Sequence, residues 1–311
     1  MYVKKWIILF FIAIILIGVV LQLFLTIKNI PLRFSNSISA DAKLDFIYKK
    51  NLLKDADTLV FGSSMALNNI NGITLENESK KIHKVANMAS WGLDIGQNLK
   101  LLQLINLQNV KRIILSTGYS DFNVKHDYNF DYKSIEDILH NHFTLQPYFI
   151  RFTTAMKNIE KYYYYEELYH NVHSYKSLVF DRTGSANLDF MQKDINKKRW
   201  NNNAFLLNSL LDSSFNALIK IAKICRNYHI EFIVVTSPIR ISILNENPNI
   251  RKNIETMTHK LKVISRKENF TYIDTHTKFK CKGLCFVDSE HLNKNATIIY
   301  TNLILEESGL Q

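Results

Sequence analysis

Apolar and polar positions follow three different rhythms along this chain. Residues 6–27 form an apolar run of 22 residues without a charge. As a helix this run would be about 33 Å long, enough to cross a hydrocarbon layer of roughly 30 Å. It therefore predicts a transmembrane helix. Beyond residue 57 the apolar positions break into short blocks at 58–62, 82–89, 111–117, 230–237 and 270–275. Each block reads as a buried strand bounded by Gly, Pro or polar residues. Between and after them, 94–108, 209–228, 249–268 and 294–308 carry apolar residues at helical spacing, with Asp94 as a candidate N-cap. The third rhythm lies at about 125–205, which is rich in tyrosine and has no strand-like run. We read it as a helical insertion or lid.

Strands alternating with helices imply an α/β fold, with a central parallel sheet covered by helices on both faces. In such sheets ligands bind beyond the carboxyl ends of the strands. The expected organisation is a cytoplasmic tail at 1–5, a signal anchor at 6–27, a membrane-proximal stem at 28–56 that is partly helical, and an α/β domain at 57–311.

The flanks of the apolar run set its expected orientation. Lys4 and Lys5 precede it, and only Lys28 and Arg33 follow closely. The short tail is the easier end to keep in the cytoplasm. The bulk of the chain is then expected outside it, in a bacterial-type cell envelope. A cleaved signal peptide is the competing reading. The apolar run is longer than a usual signal-peptide core, and "TIKNIPLRF" after it offers no small-x-small cleavage site.

Charge and cysteine content refine this picture only slightly. The net charge of +11 over 311 residues suits an anionic lipid or polymer, but a composition rich in Lys and Asn also drifts basic with no partner at all. Basic residues are scattered, with one dense patch at 197–200, and no basic stripe is interleaved with aromatics. Nucleic-acid binding is therefore not expected. There are three cysteines: Cys281 and Cys285 stand close together around Gly283, and Cys225 is far from them. A disulfide, a zinc half-site lacking its second pair, and two small apolar residues are all open readings of the close pair. The pairs His140/His142 and His170/His173 have no carboxylate cluster at matching spacing, so no metal or other cofactor is expected. Asp274 reads as a structural residue at a strand end. The tyrosine run could contact sugar rings or pack as core.

The residues that follow the strands carry the candidate chemistry. After the first strand come Gly62, Ser63 and Ser64, and after the second comes Gly92. After the third come Gly118, Ser120, Asp121 and Asn123, and shortly after the fifth come Asp288 and His291. One sheet edge would thus collect a hydroxyl, glycine amides, short polar side chains and a carboxylate–imidazole pair. These are the parts of an acyl-transfer site.

In order and spacing these blocks resemble those of the SGNH (GDSL-like) hydrolase superfamily. The likeness is greatest to its membrane-anchored members that act on envelope or secreted polysaccharides, such as D-alanyl-transfer proteins of teichoic acids and alginate-acetylation proteins. It covers 57–124 and 207–306. The resemblance implies a flavodoxin-like three-layer sandwich and a serine esterase or O-acyltransferase acting through an acyl-serine. It makes Ser64 the nucleophile, His291 the general base and Asp288 the residue that orients it. The amides of Ser64 and Gly92 would hold the oxyanion. In "GYSD" Ser120 stands where the family has Asn, so a shorter hydroxyl donor replaces an amide, with Asn123 as a substitute donor. The expected partners are a glycan or an acyl-carrying substrate and a multi-pass membrane acyltransferase. The alternative is an inactive SGNH-like domain kept as a glycan-binding or assembly component of a polysaccharide modification or export complex.

Overall fold

The computed structural model describes residues 2–27, 32–126, 128–140, 159–189, 203–207, 209–276, 278–281 and 284–311. The basic patch at 197–200, His142 and Gly283 lie outside the described residues.

Helix α1 (Tyr2–Ile27) is unbroken. Within it, Val3–Phe24 is long and apolar enough to cross a membrane, and none of it is buried against the rest of the chain.

The central sheet has five strands: β1 (Thr58–Gly62), β2 (Val85–Asn87), β3 (Arg112–Thr117), β4 (Glu231–Thr236) and β5 (Thr271–Ile273). They run parallel in the order β2-β1-β3-β4-β5. This is the α/β architecture that the alternation predicts. β1 and β3 are buried along their whole length, as expected of strands covered on both faces. Alternate residues feed two separate cores because side chains on a strand point to opposite faces. Leu59, Phe61, Ile113, Leu115, Phe232 and Val234 enter one core. Val60, Ile114, Ile233 and Val235 enter the other. Burying each such side chain is worth roughly 1.5–3 kcal/mol.

The first core is closed by α5 (Ile95–Gln103), α7 (Tyr132–Leu139), α9 (Asp212–Asn227) and α11 (Pro248–Glu268). The second is closed by α3 (Ser64–Asn69), α4 (Gly72–Glu78) and α12 (Lys294–Ser308). Short helices α6 (Ser120–Asn123) and α10 (Ile241–Glu246) follow β3 and β4. Asp94 caps α5 in a reciprocal capping box with Gln97, as its position predicts. Inside the insertion, α7 and α8 (Ile159–His170) are helical.

Two expectations need correction. The second strand is shorter than the apolar run at 82–89. The amides of His83 and Lys84 bond the Asp57 carboxylate instead of a ladder partner, and the Asn87 side chain takes the amide of Ala89. Residues 32–56, the described part of the expected stem, also do not stand apart from the domain. Leu32, Phe34, Leu44 and Ile47 belong to the first core, the last two on α2 (Ile38–Lys50). Asp41 and Lys43 on this helix are buried with partners. Asp41 accepts from the Phe34 amide at 2.8 Å and the Ser35 hydroxyl at 2.9 Å. Lys43 donates to the Gly184 carbonyl and lies over the Phe180 ring.

Of the three readings of the close cysteine pair, the structure selects the disulfide, with Cα atoms 6.3 Å apart. Cys225 is a buried free thiol.

Candidate active site

β1 and β3 are neighbours from which the chain winds in opposite directions, so their carboxyl ends form the sheet's switch point. The β1 turn requires glycine. Gly62 has φ +141°, and a Cβ there would lie 2.1 Å from the Ser116 carbonyl oxygen on β3. The Gly62 amide is taken by Asn98 Oδ1 on α5 at 3.1 Å.

Ser63 is the N-cap of α3: its Oγ accepts from the Met65 amide at 3.4 Å. The same hydroxyl donates to Asp121 Oδ2 at 3.1 Å, which also accepts from the Gly118 amide at 2.8 Å. Ser63 therefore ties the turn after β1 to the turn after β3. Asp121 is fully enclosed. Burial pushes its carboxyl up to about 7; the bonds from Gly118 and Ser63 oppose the rise, and nearby Glu290 and Asp94 add to it.

Ser64 is the first residue of α3 and is partly buried. Among the described residues its hydroxyl makes no hydrogen bond. The pair resting on Asp288 and His291, by contrast, is formed. His291 Nδ1 lies 2.7 Å from Asp288 Oδ2, and Asp288 Oδ1 accepts from the amides of Glu290 at 2.9 Å and His291 at 2.7 Å. Burial alone would raise the Asp288 carboxyl, but His291, Tyr175 and the Glu290 amide together outweigh it and hold it at about 2. Asp288 thus stays ionised at any ordinary pH. The N-cap of α12 is Asn293, so Asp288 is not spent on capping.

Two residues that the sequence reading missed support this pair. Asn69, at the end of α3, donates to the Glu290 carbonyl and accepts from the Leu292 amide, at 2.9 Å each. Tyr175, from the insertion, donates its hydroxyl to Asp288 Oδ2, and its ring stands edge-on to His291 with centroids 6.0 Å apart. Asn69 is the second of two adjacent asparagines that end this short helix, and nothing in the sequence sets it apart from Asn68. Tyr175 carries no signal, being one tyrosine among many.

Gly118 marks where the three segments meet. A Cβ there would lie 3.1 Å from Met65 Cγ, 3.2 Å from Glu290 Oε2 and 3.7 Å from Ser120 Oγ. The neighbours of Ser64 and His291 thus converge with Ser120 on one point. Gly92 has φ +64° and abuts Tyr128, whose hydroxyl oxygen would lie 2.6 Å from a Cβ at that position. Asn123 donates to the Ala204 carbonyl at 2.7 Å. That bond ties α6 to the 203–206 segment and withdraws this donor from an oxyanion. Among the described residues no group of three or more His, Cys, Asp or Glu side chains is placed to hold a metal ion.

No family profile matches the sequence, and no curated protein sequence matches it. Solved structures similar to the chain include a Bacteroides fragilis protein provisionally assigned as an acylhydrolase. It is 11% identical, with 86% of this chain and 96% of that one covered, at a TM-score of 0.41.

Proposed function

We propose that this protein is a serine esterase or O-acyltransferase of the SGNH type, anchored in a membrane by α1 and acting on an envelope or extracellular polysaccharide. The observation that carries the reading is the Asp288–His291 pair, bonded at 2.7 Å and held to the helix of Ser64 by Asn69. In this reading Ser64 Oγ attacks an ester carbonyl while its proton passes to His291. The bond to the alcohol breaks, and His291 returns the proton to the leaving oxygen. Asp288 orients the imidazole and stabilises its cation. Water or a sugar hydroxyl then resolves the acyl-serine, which distinguishes esterase from transferase. The amides of Ser64 and Gly92, with the Ser120 hydroxyl, would hold the oxyanion. The loss of one such donor costs about 10²–10³ in rate, so the Ser120 position predicts slow turnover.

A second reading is an inactive domain of the same type that binds glycan or assembles a modification complex. The Ser64 hydroxyl, without a hydrogen bond among the described residues, and the engagement of Asn123 by Ala204 favour it.

The two readings separate on a serine-reactive fluorophosphonate. The full chain, purified in non-ionic detergent, should label, and Ser64→Ala should not. Absence of labelling in the parent protein, or equal labelling of the variant, overturns the enzymatic reading.

A further inference from the structure

Farther along the same sheet edge, beyond β4 and β5, lies a cavity of about 810 Å³. Ile239, Leu244, Ile254, Phe279 and Phe286 give it an apolar lining. His276, Lys262, Lys280 and His259 line it as well. Open parallel sheets place ligands beyond the carboxyl ends of their strands, and Ile239 and Asp274 follow the ends of β4 and β5.

The polar side of this cavity is organised. His276 has a side chain only 5% exposed. Its Nδ1 lies 3.3 Å from Asp274 Oδ1, and Lys262 braces the other oxygen of that carboxylate at 3.2 Å. Burial opposes ionisation of Asp274, but His276 and Lys262 outweigh it and lower its pKa. An ionised Asp274 accepts from Nδ1–H and fixes the ring. His276 Nε2 is then enclosed without a hydrogen-bond partner among the described residues. A buried polar atom left in this way is uncommon and marks a place where a ligand group can be received. Lys262 and Asp274 neutralise each other. Of the remaining charges in the lining, Arg251 and Lys280 outnumber Glu255. Lys280 is exposed and makes no ion pair among the described residues.

We propose that this cavity binds an anionic amphiphile, its apolar chain against Ile254, Phe279 and Phe286 and its carboxylate or phosphate head at Lys280 and at His276, whose ring carries both protons in the bound form, Nδ1–H toward Asp274 and Nε2–H toward the anion. The site is separate from Ser64 and does not depend on the acyl-transfer reading. It does adjoin the loop of Asp288: between Ile239 and Ile241, which both line the cavity, the Arg240 amide donates to the Ser289 carbonyl at 2.9 Å.

The test uses the full chain carrying Ser64→Ala, so that no ester is turned over, in non-ionic detergent. It is titrated with the fluorescent fatty acid cis-parinaric acid and with its methyl ester. Saturable binding of the acid is expected, at least tenfold tighter than the ester. Lys280→Glu and His276→Gln should each weaken it at least tenfold, with the melting temperature of the exposed Lys280→Glu variant unchanged. Dodecyl phosphate should compete and inorganic phosphate at the same concentration should not, which separates an amphiphile from a free anion. Equal binding of acid and ester, binding unaltered by Lys280→Glu, or displacement by inorganic phosphate alone would each overturn the proposal.

Discussion

Asn69 clamps the main chain on both sides of His291. It donates to the carbonyl of the residue before the histidine and accepts from the amide of the residue after it, each at 2.9 Å. Because Asn69 and Ser64 share one short helix, the clamp sets the distance between the candidate nucleophile and the candidate base.

Replacing Asn69 by Ala leaves a buried carbonyl and a buried amide without partners, at about 1–3 kcal/mol for each group. The expected result is a loss of on the order of 3 kcal/mol in urea unfolding. Ester turnover should fall about 10²-fold, since small misplacements of reacting groups cost that much. Initial rates with p-nitrophenyl acetate beside the unfolding curve check both. Full activity in a folded variant would show that the clamp does not position His291.

Tyr175→Phe removes one donor from a carboxylate that also accepts from His291 and two amides. A charge-assisted bond of this kind is worth about 1.5–3 kcal/mol. Asp288 has a folded pKa below its unfolded one, so its contribution to stability is present above about pH 4 and is lost as pH falls toward 2. In the variant the folded pKa rises toward the unfolded value, and the acid-side loss should become shallower. Urea midpoints between pH 2 and 5 measure it.

Asp121 has the opposite sign. Its folded carboxyl is raised to about 7, so its contribution is complete below about pH 4 and is lost as pH rises through 7. A rise of this size corresponds to on the order of 4 kcal/mol at most. Asp121→Asn retains an acceptor for Gly118 N–H and Ser63 and should flatten the pH dependence of stability between 4 and 8. An unchanged slope would place the dependence elsewhere, with Asp41, also raised to about 7, as the next residue to change.

Gly62→Ala should not fold. The new Cβ meets backbone, the Ser116 oxygen at 2.1 Å, in a conformation that L residues rarely adopt. Gly118→Ala meets the ends of Met65 and Glu290 at 3.1 and 3.2 Å, which can shift. We expect folded protein in non-ionic detergent for Gly118→Ala with a modest fall in melting temperature, and none for Gly62→Ala. Comparing the yields of detergent-extracted, monodisperse protein for the two variants is sufficient.

Most of the scaffold was legible in the chain. The apolar cores of the runs at 58–62 and 111–117, Leu59-Val60-Phe61 and Ile113-Ile114-Leu115, are unbroken because both faces of those strands are covered. Asp94 capped α5 as its place before the apolar repeat implied. The last helix likewise begins and ends where its periodicity does. The pairing of Asp288 with His291 was also readable, since both lie on one short loop. These features are local: hydrophobic period, capping and short spacing act over a few residues and need no knowledge of the rest of the molecule.

Tertiary structure decided the remainder. Asp41 and Lys43 lie in the segment read as a membrane-proximal stem, yet each is buried because a partner arrives from another segment, Phe34 and Ser35 for one and Gly184 for the other. Asn123 looks like a free amide until the 203–206 segment is folded against it. Asn69 and Tyr175 lie 222 and 116 residues from His291, so only the folded chain brings them to its loop. Local physics determined which segments are strands and helices. The enclosure of polar groups, and hence which of them remain available for chemistry, was set by contacts that exist only once distant segments have packed.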